Sequence, residues 1–121
     1  IFDHDIAKAA RPLRLLGLDA ACETRSERDI RTKFEALPPA ATAGQVSPLF
    51  QRALNEGRVL VSSSKRLLAR HDCPASYYLD ARRLEACIAQ LLHDLTVEVL
   101  SERFFGRCVK CNAVVMHLGL A

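Results

Sequence analysis

The chain has 121 residues, half of them hydrophobic and 26% charged, which suits one globular domain with a core of its own. Its formal net charge is +3, assembled from 13 Arg and 4 Lys against 14 acidic residues. No apolar run approaches the ~20 residues of a membrane span and no secretory leader opens the sequence, so membrane and secreted classes are set aside.

Five cysteines, an odd number, argue against a disulfide framework and for a reducing intracellular compartment, cytoplasmic or nuclear. Cys22, Cys73 and Cys87 sit in apolar or loop contexts and read as buried thiols. The arginine-rich balance suits phosphate recognition through the planar guanidinium fork, although a solvated surface has the same composition.

In chain order, Ile1-Phe2-Asp3 reads as the tail of a strand, and with no initiator methionine before it the chain is expected to be a piece of a longer polypeptide. From Asp5, the apolar positions Ile6, Ala9, Ala10, Leu13 and Leu16 recur at helical spacing, with Gly17 as the stop. Pro12 is expected to kink this helix. Lys8 and Arg11, with Arg14 close by, give it a basic edge. "DAACET" reads as a short second strand and Arg25 to Phe34 as a charged helix. Residues 36–47, rich in Pro, Ala, Gly and Thr, have the composition of a surface insertion loop.

Ser47-Pro48 opens the next helix with Ser at the cap, Pro at the first helical position and Gly57 just past the end. "RVLV" is a short apolar strand of the kind buried in a parallel sheet, and "SSSKRLLAR" turns directly into a Ser-capped helix. "SYYL" is a further strand. Ala81 to Leu95 is an amphipathic helix carrying Leu84, Ile88, Leu91, Leu92 and Leu95 on one side. Strand and helix in alternation predict an α/β domain with a mostly parallel sheet between helices.

In open sheets of this kind, functional residues collect at the C-terminal strand ends, which singles out Asp3, Ser62 to Ser64, and Asp80. Carboxylates converging there would hold Mg²⁺ or Mn²⁺, to polarise a phosphate and activate water. Acidic residues in front of helices also serve as caps, and both readings stay open. Near the end, Cys108-Val-Lys-Cys111 has the spacing of a zinc knuckle. A structural zinc wants four ligands. His117 offers a third, while His71, Cys73 and His93 would contribute only by folding back.

Three blocks resemble a known family. "FDHDIAKAARPLRLLGLDA" is similar to the opening of the Mut-seven C-terminal ribonuclease domains, matching at Asp3, Lys8, Ala10, Arg11, Leu13, Arg14, Leu15, Leu16 and Gly17, with Pro12 replacing the usual aromatic. "EGRVLVSSSKRLLAR" is similar to a second block of the family. "RFFGRCVKCNAVV" resembles the start of its zinc ribbon. The resemblance implies a PIN-like three-layer α/β fold over residues 1–100, with an acidic metal centre, followed by a partial zinc ribbon over residues 101–121. Domains of this family stand alone or form the C-terminal part of larger 3′-to-5′ exoribonucleases of small-RNA pathways, and the absent start methionine fits the second arrangement.

The departures bear on function. Ser64 stands where the family has its second acidic landmark, and Arg66 replaces the Glu that follows. Asp3 is kept, Asp80 falls near a further acidic position, and Asp29 is the counterpart of an acid in the intervening helix. The family's second cysteine pair has no counterpart, leaving Cys108 and Cys111 as an incomplete zinc set. The leading expectation is therefore an RNA-binding accessory domain with a degenerate nuclease centre. Lys8, Arg11, Arg14, Lys65, Arg66, Arg70, Arg103, Arg107 and Lys110 would track single-stranded RNA, and Tyr77, Tyr78, Phe104 and Phe105 are candidates for base stacking. The alternatives are an active metal-dependent ribonuclease using Asp3, Asp80 and Asp5 or Asp29, and a protein-interaction module docking through residues 36–47 or "NAVVMHLGLA".

Overall fold

The computed structural model describes residues 1–42, 44–70 and 73–114. Four short extended segments lie side by side. Phe2 forms parallel bridges to Cys22 on one side and Val61 on the other. Strand β1 (Leu60–Ser62) then pairs in parallel with β2 (Ser76–Tyr78), with Val61 opposite Tyr77. Bonds from Phe2 N to Ala21 O (2.9 Å), Val61 N to Ile1 O (2.8 Å) and Leu79 N to Ser62 O (2.9 Å) complete the ladder. The chain's first segment is thus internal, flanked by the second segment and by β1.

Alternation along these segments sends neighbouring side chains to opposite faces. Phe2, Ala20 and Val61 join Leu79 in a core with Ile6, Ala9, Ala10 and Leu13 and with Leu91. Ile1, Ala21 and Leu60 join Leu49, Phe50, Ala53 and Leu67 in a second core. The first core lies under α1 (Ala10–Leu15) and α5 (Leu84–Asp94), the second under α3 (Pro48–Glu56) and α4 (Lys65–Leu68). Helices on both faces of a small parallel sheet agree with the expected α/β architecture and are consistent with a PIN-like fold. Half-buried Cys22 and Cys87 pack on the first core and Cys73 on the second, as small hydrophobes do.

Local sequence explains the element ends. Thr24 and Glu27 form a reciprocal capping box at the start of α2 (Arg25–Ala36), and Gly57 closes α3 in the left-handed region at φ +62°. Two expectations need correcting. The irregularity in the first helix falls at Ile6 (φ −117°, ψ 24°) within a 3₁₀ segment, His4–Ala9, and not at Pro12. Pro12 lies in the first turn of α1, where backbone N–H groups lack helical partners in any case. Ser47 does precede α3, but its fully buried hydroxyl makes no capping bond and has no hydrogen-bond partner among the described residues. Residues 36–47 include a 3₁₀ turn, Pro39–Thr42, while Ala43 lies outside the described residues. No helix of the described residues is long and apolar enough to cross a membrane.

Candidate functional site

The strand order aligns Glu23, Asp3, Ser62 and Asp80 along the C-terminal edge of the sheet. The chain turns from one side of the sheet to the other between Phe2 and Val61, the kind of switch point where open α/β sheets bind ligands. Asp3 lies at that point and is only 2% exposed. Its Oδ1 accepts from the backbone of Asp5 (2.9 Å) and Ile6 (3.3 Å), capping the first 3₁₀ turn, and its Oδ2 accepts from the Ser62 hydroxyl. Ser62 Oγ in turn accepts from Ser64 N at 3.0 Å. The Ser64 side chain caps α4 by accepting from Leu67 N at 3.2 Å.

Glu23, which the sequence reading did not single out, lies at the same strand-end edge. It is 2% exposed, and its Oε2 accepts from Arg31 Nε at 2.7 Å. Its Oε1 accepts from Arg31 Nη2 (3.2 Å) and His4 N (3.1 Å). Burial opposes the Arg31 charge, but hydrogen bonds and attraction from Glu23, with Glu35 behind it, outweigh that and raise its pKa. The strand-end rule that selected Asp3 would have selected Glu23 had it been applied to "DAACET".

The other acids have separate duties. Asp80 accepts from Arg82 N (2.9 Å) and Arg82 Nε (3.4 Å), contacts that hold its carboxyl below the usual range. Asp5 pairs with Arg28 at 3.2 Å, and Asp29 is exposed on α2. Among the described residues, no group of three His, Cys, Asp or Glu side chains is placed to hold a metal ion. Glu23 is neutralised by Arg31, and among the described residues no third carboxylate converges with Asp3, so this set as it stands does not supply the several oxygens around one point that a Mg²⁺ or Mn²⁺ centre uses.

The cysteine pair lies in a tight hairpin. Arg107 bridges Val114, Cys108 N donates to Ala113 O (2.9 Å) and Asn112 N to Cys108 O (2.8 Å), with Asn112 left-handed at φ +68°. Backbone N–H groups of Cys111 and Lys110 point at the Cys108 sulfur. With the Cys111 thiol and the Lys110 charge they hold the Cys108 thiol below its ordinary pKa. N–H groups aimed at sulfur favour the thiolate, the form that ligates metals, so the pair suits half of a zinc site. Among the described residues no third ligand joins it. Cys73 packs in the second core and His93 is exposed beside Asp94 on α5. His71 and His117 lie outside the described residues, as does most of "NAVVMHLGLA".

The hairpin is fastened to the α/β body by a polar clasp. Arg14, expected on an exposed basic edge, is 6% exposed and donates to Ala20 O (2.8 Å), Val109 O (2.7 Å) and Cys22 Sγ (3.5 Å). Its place on α1, facing the second segment, aims it inward. Asn112 accepts from Ala20 N (3.0 Å) and donates to Asp19 Oδ1 (2.6 Å). Arg107 is half-buried and donates to Asn112 O at 2.9 Å. Arg14 and Arg107 are thereby occupied within the protein.

The remaining cations are more open. Lys8, Arg11, Lys65, Arg66, Arg103 and Lys110 are exposed. The Lys65 ammonium lies 5.2 Å from the centre of the Tyr78 ring, and Arg70 lies 5.7 Å from that of Phe50. Arg66 and Arg70 line a cleft of about 510 Å³ with Arg31, Thr32 and Ser64. Lys110 borders another, of about 610 Å³, with His4, Arg25 and Cys111. Of the aromatics, Tyr77 is tied to Asp94 by a 2.7 Å hydrogen bond, whereas Tyr78, Phe104 and Phe105 are exposed.

A model of the Mut7-C RNAse domain matches residues 1–119. No curated protein and no solved structure matches the chain.

Proposed function

The chain belongs to the Mut7-C RNAse domain family, and from that premise we propose that it is a nuclease-derived domain that binds single-stranded RNA without a working metal centre of its own. It would serve a larger 3′-to-5′ exoribonuclease acting in RNA processing or small-RNA silencing. The observation that carries this reading is the state of the strand ends. Asp3 is capped by Ser62 and two backbone N–H groups, Glu23 is clamped by Arg31, and the landmark acid is replaced by Ser64. Recruiting a divalent cation would compete with these buried, charge-assisted hydrogen bonds, and among the described residues no third acid converges with Asp3 and Glu23 on one point. Exposed Lys65 and Arg66 follow Ser64 directly and favour phosphate at the same edge.

The test pairs binding with cleavage. Fluorescently labelled single-stranded RNA is titrated with the chain at low salt, then incubated with Mn²⁺ or Mg²⁺ alongside Asp3→Asn. The expected result is retained binding with no cleavage above background in either protein. Metal-dependent cleavage by the unaltered chain that Asp3→Asn abolishes would establish the active-ribonuclease reading instead.

A further inference from the structure

Residues Arg103 to Gly106 form a β-turn closed by Gly106 N donating to Arg103 O at 3.0 Å. Phe104 has φ −58° and ψ 137°, and Phe105 has φ +60°. Those are the angles of a type II turn, whose third position favours glycine because φ must be positive. Here a phenylalanine holds it and Gly106 comes one residue late. A bulky residue in the left-handed region is an outlier that persists only where its surroundings fix it. They do so here. Phe105 N donates to Leu15 O at 2.7 Å, and the Arg103 backbone is packed directly on Gly17.

The strain gains nothing from internal packing, because Phe105 is 66% exposed, with Phe104 at 38% and Leu15 at 44%. Beside this tip runs a row of positive charge. Lys8, Arg11 and Leu15 follow one another at spacings of three and four residues, which places them along one side of the first helix. Among the described residues none of Lys8, Arg11 and Arg103 is held in an ion pair, and Glu102 is the acid next to the turn.

The geometry points to Phe105 as a stacking platform for an unpaired RNA base, with Arg103, Arg11 and Lys8 taking the flanking phosphates. This rests on the RNA-binding reading and gives it a location. A flat aromatic ring presented to solvent beside unpaired cations matches the two halves of a nucleotide, since every base has a π-face and every linkage a charge. The three-residue spacing of Lys8 and Arg11 lets their side chains follow a backbone leaving the ring.

The test uses the 121-residue chain and fluorescence anisotropy with two labelled probes of equal length, an oligoadenylate and an abasic oligonucleotide. Phe105→Gly is chosen because glycine suits φ +60°, so its melting temperature should match or exceed that of the unaltered chain. The expected result is a loss of about tenfold in oligoadenylate affinity, unchanged affinity for the abasic probe, and near-complete rescue by Phe105→Tyr. Equal oligoadenylate affinity of Phe105→Gly and the unaltered chain would overturn the platform, leave the RNA reading standing, and turn attention to a protein ligand for the ring. Equal weakening on both probes would also overturn it, because a lost ring cannot act on a strand without bases. Failure of the unaltered chain to bind either probe at low salt would overturn the RNA reading and the platform together.

Discussion

Two left-handed glycines separate conformational cost from close packing. Gly57, at φ +62°, caps α3 and a Cβ there would meet nothing within 4 Å. Gly57→Ala should therefore cost only the left-handed penalty, about 1 kcal/mol. Gly17, at φ +81°, carries the same penalty, but its Cβ would lie 1.9 Å from Arg103 O and 2.6 Å from Arg103 C. A backbone carbonyl cannot swing aside, so the Arg103–Gly106 turn must move. That displacement sacrifices the Phe105 N to Leu15 O bond and strains the clasp of Arg14, Asp19 and Asn112. With each hydrogen bond worth about 1 kcal/mol, Gly17→Ala should lose roughly 3–4 kcal/mol in total. Urea unfolding of both variants measures the difference, and limited trypsin digestion should show faster cleavage after Arg103 or Arg107 in Gly17→Ala only. If the two variants lose equal stability, the docking of the hairpin described above is wrong.

Asn112→Ala removes the bonds to Asp19 and Ala20, leaves a buried N–H unsatisfied and puts alanine at φ +68°, so unfolding experiments should register a loss of about 2–4 kcal/mol. Glu23→Ala leaves the buried Arg31 guanidinium with Glu35 as its one remaining acidic partner and should cost about 2–3 kcal/mol, with Glu23→Ala/Arg31→Met recovering part of it in a double-mutant cycle. Burial pushes the Asp19 carboxyl up, but bonds from Arg58 and Asn112 and the charges of Arg58 and Arg107 outweigh it, leaving the pKa below the ordinary carboxylate range. A depressed carboxyl contributes stability above its ordinary pKa and loses it as pH falls through the folded value. Acid unfolding below about pH 4 should thus be slightly shallower in Asp19→Asn, an effect under ~1 kcal/mol because the group is half-exposed. Alkylation of Cys108, followed by mass spectrometry, should reach half its maximal rate below the ordinary thiol value of about 8.5, since N–H groups and Lys110 favour its thiolate.

What the chain reveals by itself depends on range. Periodicity and the Pro48–Gly57 end signals placed helices because they act within a few residues; the Thr24–Glu27 capping box is equally local, but the sequence reading did not single it out. Alternation of strand and helix implied a parallel sheet, and Asp3 and Asp80 lie at strand ends as that reading placed them. Arg14 reads as one more surface arginine because nothing near it in sequence tells of a carbonyl at Val109, 95 residues away. Asn112 and Gly17 hide their roles for the same reason, since their partners Ala20 and Arg103 are distant along the chain. Glu23 was within reach but was obscured by the short, weak strand that carries it. Phe105 is legible as an aromatic and illegible as a strained one, because its positive φ follows from where the turn is anchored.

The salt dependence of single-stranded RNA affinity tests the central claim most directly. Each phosphate neutralised on a single strand contributes about −0.7 to the slope of log K against log salt. Engagement of Lys8, Arg11 and Arg103 would give a slope of roughly −2, falling by about one unit when Arg11 and Arg103 are both replaced by Gln. A slope near zero, or one that the double substitution leaves unchanged, would contradict an electrostatic RNA track on this face.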